Sequence, residues 1–447
     1  MYTSLRPVVI LTLLVGFGCQ AEPDLESIGT LSRADLPPSP TNAYADDPAA
    51  AILGQALFFD ARMSADGQVS CASCHDPDNA FADPRAFSRG SFGRLGERHA
   101  PSLINVAFNR FQLWDGRADA LWSQPIKAIE ASAEGDFSRT ELAHFITREY
   151  AEDYIAVFGP IPSLAGVPDR AKPGDAAWDA MTEHQQDIVN RIAANVGKAI
   201  EAYERKLICV DTEFDRHLRG ETTLSNQALQ GAEIFLDDDA RCVDCHSGPN
   251  LTDGRFHNLG LDHAGTPDRG RADGVEALLD DPFNGVGDYS DDPTYGAQVL
   301  AEVALGRDED LGAFKTPGLR GVAQRARFGH LGHESNLERW IDDVYRRGGG
   351  GNGGRGNGRR GGDGGGGGND NFVGQRSDLF PRDVENEEAV AAFLRTLDCP
   401  PLPPSLLGPP GAPLRGTDSA APASAAQPES ISGELEEGLP AGRRGGR

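Results

Sequence analysis

The chain has 447 residues, with 42 lysines and arginines against 68 aspartates and glutamates, for a formal net charge of −26. This acidity is spread along the chain rather than gathered in one block. It argues against nucleic acid as a partner and suits a solubilising surface that also attracts a basic protein. The length allows two or three domains.

The first element is a leader. "MYTSLRPVVILTLLVGFGCQ" shows one arginine, a short apolar run and then small residues ending at Cys19. The run is too short to span a bilayer and reads as an export signal over 1–19. Cys19 stands where a bacterial lipoprotein signal places its lipidated cysteine, although Gly16 occupies a position where leucine is usual. We expect a periplasmic protein with a lipid anchor at Cys19, plain cleavage being the alternative. Residues 20–45 contain Pro and Ser and read as a tether.

A helical segment, "DPAAAILGQALFFD", then leads into "SCASCHDPDN", which carries Cys71, Cys74 and His75. The arrangement recurs. "SNQALQGAEIFLDD" leads into "RCVDCHSGPN", with Cys242, Cys245 and His246. In "GQALFFD" and "GAEIFLDD" a glycine, an aliphatic residue and a phenylalanine fall at similar offsets, the mark of an internal duplication.

Cys-x-x-Cys-His is the spacing of c-type haem attachment. Two thiols three residues apart can add to the two vinyl groups on one porphyrin edge. The next residue is carried under the ring, where its imidazole can bind iron. Zinc held by the four cysteines is the main rival, but it needs no histidine after each pair, and its pairs normally lie much closer together. A redox dithiol would use one pair near a βαβ pattern, and none is evident. We therefore expect two covalent haems. Of the remaining cysteines, Cys209 and Cys399 form either one disulfide or two buried thiols.

Between the motifs, "EHQQDIVNRIAANVGKAIEAYERKL" places Ile188, Ile192, Val196, Ile200 and Tyr203 on one helical face. "DVENEEAVAAFLRTL" predicts a last helix with Asp383 as N-cap. Few runs alternate as strands do, so the fold class is all-α. The glycine-rich stretch 348–369 reads as a flexible insertion, and 401–447 as an unstructured tail.

Two haem motifs alone do not distinguish an enzyme from an electron carrier. "RHAPSLINVAFNRFQLWDGRADALWSQPIKAIEASAEG" (98–135), "GPNLTDGRFHNLG" and "FKTPGLRGV" resemble the bacterial di-haem cytochrome c peroxidases, a group that includes MauG, over roughly 45–400. The resemblance implies two cytochrome-c-like domains, here 46–215 with a peroxidatic haem and 216–400 with an electron-transfer haem. It also implies reduction of hydrogen peroxide with electrons from a small cytochrome c or copper protein. Trp114 matches the tryptophan between the two haems, its alternative being a core aromatic. Gln124 and Glu134 match the distal amide and carboxylate at the peroxide-binding haem. A carboxylate whose pKa is raised by desolvation suits the proton transfers of O–O heterolysis, whereas an exposed Glu134 would be a surface charge.

There are departures. The loop Ala80–Glu97 has no histidine to cap the first haem, and His99 stands where the family places an asparagine near its calcium site. Arg325 and Arg327 occupy the paired Thr-x-Pro segment, which places the calcium in doubt and lets an arginine supply the positive charge. The sixth ligand of the second haem is usually methionine. Only Met1, Met63 and Met181 exist, and none follows the second motif. Tyr345 in "NLERWIDDVYRRGG" is the candidate ligand, with His330, His333 and His263 as alternatives. A MauG-like oxidase and a pure electron-transfer cytochrome are the two rival functions.

Overall fold

The computed structural model describes residues 24–261, 268–348 and 386–411. Side chains are described as far as Val344 in the second of these stretches. Cys19, His263, Asp383 and most of 348–369 lie outside, as does the tail beyond Gly411.

The expected all-α class holds. In chain order the helices are α1 (Pro48–Phe58), α2 (Cys71–Cys74), α3 (Ser123–Glu130), α4 (Arg139–Glu149), α5 (Ala151–Phe158), α6 (Ala176–Asp179) and α7 (Glu183–Glu204). After these come α8 (Glu213–Leu218), α9 (Asn226–Leu236), α10 (Arg271–Leu279), α11 (Pro293–Leu300), α12 (Leu337–Gly348) and α13 (Glu387–Arg395). The one sheet among the described residues pairs β1 (Phe256–His257) antiparallel with β2 (Phe314–Lys315). No helix there is long and apolar enough to cross a membrane.

Each haem motif has its own helix crossing. Asp47 caps α1 by accepting from the amides of Ala49 and Ala50, which satisfies donors the first turn leaves unpaired. The helix then crosses α7 at Gly54, where a Cβ would lie 1.8 Å from the carbonyl oxygen of Ala199. In the second lobe α9 crosses α13 at Gly231, where a Cβ would lie 1.8 Å from the carbonyl oxygen of Ala389. The duplicated glycines are therefore contact points at which only a missing side chain lets the backbones touch. Asn386 accepts from the amide of Ala389 at the start of α13, the capping role expected of Asp383.

Leu57, Phe58, Trp122, Ile126, Ile192, Ile200 and Tyr203 centre the first core. Phe235, Leu319, Val322, Phe393 and Leu397 centre the second. The outermost described segments exchange lobes. Leu25 and Ile28 are buried in the second core, so the stretch expected to be a tether is packed from Leu25 onward. Leu402, Leu406 and Leu407 return to the first core, and Gln55 Nε2 donates to the carbonyls of Ser405 and Gly408, both at 2.6 Å. The expected tail thus begins as a packed strap up to Gly411. Phe214 belongs to the second core, so α8 goes with the second lobe, a little before the expected boundary at 215. Cys209 and Cys399 form a disulfide, settling that choice and tying the inter-lobe segment to the end of α13.

Candidate active site

Both histidines are fixed in the same way. In the first motif, Ser70 and Ser73 close a capping box around α2, and the amide of His75 donates to the carbonyl of Cys71 at 2.9 Å. The His75 Nδ1 lies 3.1 Å from the carbonyl oxygen of Phe81 and 3.0 Å from that of Pro101. In the second motif the amide of His246 donates to the carbonyl of Cys242 at 2.8 Å. Its Nδ1 lies 3.0 Å from the carbonyl oxygen of Leu251. Phe81 and Leu251 both have left-handed backbones, φ 55° and 50°, which turn these carbonyls back toward the rings. With Nδ1 held, Nε2 is the nitrogen left to bind a metal. Burial lowers the pKa of both rings, which keeps them neutral, as a ligand must be.

The two motifs open into one cavity of about 780 Å³, lined by His75, Cys74, His246, Cys245, Trp114, Gln124 and Glu134 among others. Cys71, Cys74, Cys242 and Cys245 take no part in the disulfide that joins the other two described cysteines. Cys-x-x-Cys pairs outside the disulfide, neutral histidines with a fixed Nδ1, and a partly apolar cavity between them fit haem at both motifs.

Glu134 sits on a pinned loop. The amide of Ser91 donates to the Glu134 carbonyl at 2.7 Å, and Ser91 Oγ donates to the carbonyl of Gly135, also at 2.7 Å. A Cβ on Gly90 would lie 2.1 Å from the carbonyl oxygen of Ala133, so the histidine-free loop Ala80–Glu97 packs directly on the one bearing Glu134. The carboxyl is half-buried on the cavity wall. Burial raises its pKa against the opposing pull of Arg117. Gln124, at the start of α3, faces the same cavity.

Trp114 lies on the wall reached by both motifs. Its indole Nε1 donates to the carbonyl of His99 at 2.8 Å, and its ring meets His330 edge-on at 6.3 Å. The "LWDGR" loop is clamped from outside by Arg271, a residue the sequence reading did not single out. The buried guanidinium lies 4.7 and 4.2 Å from the Phe111 and Phe256 ring centroids. It donates to the carbonyls of Asp115 and Gly116 at 3.1 and 2.8 Å. A Cβ at Gly116 would strike Phe256 at 2.3 Å, so the glycine of that motif is needed for the clamp. His257 was missed too. Its bond to Asp253 at 2.7 Å, with the neighbouring Cys245 thiol, pushes it up to about 9.

His99 is buried, with Nδ1 3.1 Å from the carbonyl oxygen of Arg85, and burial pulls it down to about 4. Arg325, half-buried, donates to the carbonyls of Gly318 and Arg320 at 3.1 and 2.9 Å. Two backbone oxygens of this segment are thus taken by a guanidinium, which brings a positive charge there. Met63 and Met181 both lie in the first core. On α12, Trp340 and Val344 line the cavity. Tyr345 is the next residue of that helix, and its side chain lies outside the described part. His330 is a buried residue on the cavity wall, stacked on Phe314 with ring centroids 3.8 Å apart.

The family model for di-haem cytochrome c peroxidase matches residues 48–223. A cytochrome-c peroxidase of Denitromonas iodatirespirans, IdrP1, is 30% identical over 70% of this chain and 77% of its own length. The chain belongs to the di-haem cytochrome c peroxidase family. A second peroxidase of that organism, IdrP2, is 29% identical over 90% of this chain and 94% of its own. Among solved structures, a MauG-like protein associated with microbial copper homeostasis superposes with a TM-score of 0.56 at 24% identity. It covers 84% of this chain and 96% of its own, which supports the two-lobed fold. Haem is the family's cofactor, and the chain is an oxidoreductase.

Proposed function

We propose that the protein reduces hydrogen peroxide to water, drawing electrons from a small cytochrome c or copper protein in the periplasm. One haem is held covalently by Cys71, Cys74 and His75, and the other by Cys242, Cys245 and His246. The haem iron supplies the redox chemistry. The observation that carries this reading is Glu134 beside Gln124 on the wall of the cavity that also holds His75. A pure electron carrier has no use for an acid–base group and an amide at that place.

The chain's own residues supply position and protons. The Glu134 carboxylate, made more basic by its burial, takes a proton from the near oxygen of peroxide and, now neutral, returns it to the departing one. Gln124 orients the peroxide by hydrogen bonding. Trp114, fixed by His99 and by the Arg271 clamp, is the aromatic bridge between the two sites. The net negative charge of −26 favours a donor with a basic face. Cys19 anchors the exported protein to lipid.

A MauG-like oxidation of another molecule is the second reading. What favours it is the methionine count: Met63 and Met181 are both in the first core, so methionine does not serve the second haem. Tyr345 is the ligand proposed in its place, and a phenolate donor lowers the potential and stabilises oxidised iron. Mixing the purified protein with peroxide, with and without a reduced small cytochrome, separates the readings. Rapid donor oxidation supports the peroxidase. Persistent oxidised haem with slow donor turnover supports the second reading, and no reaction with peroxide leaves a carrier.

A further inference from the structure

Helices α7 and α13 are one element used twice. The glycine crossings set Ala199 against Ala389, and the same offset sets Tyr203 against Phe393, Leu207 against Leu397 and Cys209 against Cys399. That offset is the 190-residue separation of the disulfide. The packing repeats as well: Tyr203 meets Phe58 at 5.1 Å and Phe393 meets Phe235 at 5.2 Å. In this register Glu201 and Glu204 correspond to Ala391 and Leu394, and all four are buried. The second lobe shows that the crossing is built without acids, so the two carboxyls of the first lobe need another reason.

Glu201 has one in the packing. It accepts from Asn42 Nδ2 at 3.1 Å and so holds the N-terminal segment to α7. Glu204 has no such partner. It is 2% exposed, its Oε2 is sealed from solvent with no hydrogen-bond partner, and it lines the cavity near the first motif. After burial itself, the Glu204 carboxyl is the strongest influence pushing the Cys71 thiol up to about 12. A buried carboxyl left unpaired carries the full cost of its desolvation.

We propose that Glu204 is a proton-holding residue coupled to the haem held at Cys71, Cys74 and His75. When the one-electron donor protein reduces that ferric iron to ferrous, the Glu204 carboxylate binds one proton from solvent. When the iron is oxidised again, Glu204 releases that proton. Added negative charge at the haem favours the neutral acid, and its removal favours the carboxylate.

Few charges oppose this assignment. Helix α1, the turn Val106–Phe108 and the strap 402–408 bring no titratable side chain to this end of α7. Helix α2 brings Cys71. On α3, Lys127 is paired with Asp281 and Glu130 with Arg139 of α4. Tyr203 donates to the carbonyl of Leu406 at 2.6 Å, and Glu134 faces the same cavity. Burial, reinforced by Glu201, holds Glu204 well above the usual carboxylate range.

The inference rests on haem being attached at the first motif, which counting covalent haems per chain in the same sample tests separately. The deciding experiment is a spectroelectrochemical titration of both haems over roughly pH 5 to 9. The expected result is a first-haem potential that falls as pH rises, with the dependence removed in Glu204→Gln and in Glu204→Leu. The leucine variant reproduces the side chain the second lobe carries at Leu394, so its packing has a precedent in this fold. A pH-independent first haem in the parent overturns the proposal, as does a dependence that survives in both variants.

Discussion

The indole of Trp114 is tied to the carbonyl oxygen of His99 by a 2.8 Å hydrogen bond, and the amide of His99 is tied to the carbonyl of His330 at the same distance. Trp114, on the wall of the cavity that both motifs reach, is thereby joined to a segment of each lobe. In Trp114→Phe a ring remains but the donor is lost. We expect about 1 kcal/mol of lost stability and slower passage of donor electrons to the first haem, read by stopped-flow spectroscopy. An unchanged transfer rate would assign Trp114 to packing alone.

Glu134→Gln keeps the shape of the side chain and removes its proton chemistry. Peroxide turnover should fall by ~10²- to 10⁴-fold with both haems still attached. Burial raises the Glu134 pKa, so in the parent the carboxylate needed as base forms only as pH rises through that raised value. The low-pH limb of the rate profile should vanish in the variant. Retention of more than about half the rate would move the acid–base role elsewhere.

The first haem should accept peroxide without prior reduction of the second. The loop Ala80–Glu97 offers no histidine, and the nearby His99 is held by Arg85 and His330. Electron paramagnetic resonance of the protein as isolated should show one high-spin ferric haem. Two low-spin signals at neutral pH would overturn this and make His99, through its Nε2, the suspect sixth ligand.

Tyr345→Phe should raise the reduction potential of the second haem and alter its ferric spectrum, because a phenolate donor would be lost. Unchanged values would leave His330 or another histidine as the ligand.

Chelation should leave activity intact. The carbonyls of Gly318 and Arg320 are already bound by the Arg325 guanidinium, so EGTA treatment should change neither haem spectra nor turnover. Loss of activity restored by calcium would refute this.

The spacing of Cys71, Cys74 and His75, and its repeat at Cys242, Cys245 and His246, was legible from the chain alone, because such a motif is a pattern on neighbouring residues. The helical class and the duplicated glycines were legible for the same reason, since period and offset are local, whereas Trp114, Gln124 and Glu134 were named only by the resemblance to the family. The tertiary structure decided what depends on residues far apart. It joined Cys209 to Cys399, set Arg271 behind the Trp114 loop, and packed Leu25 and Leu406 into opposite lobes. It also left Glu204 buried where the duplicate has Leu394. In the sequence Glu204 stands between Tyr203 and Arg205 as an ordinary helical charge. Its isolation is a property of the space around it, which only the crossing of α1 and α7 creates.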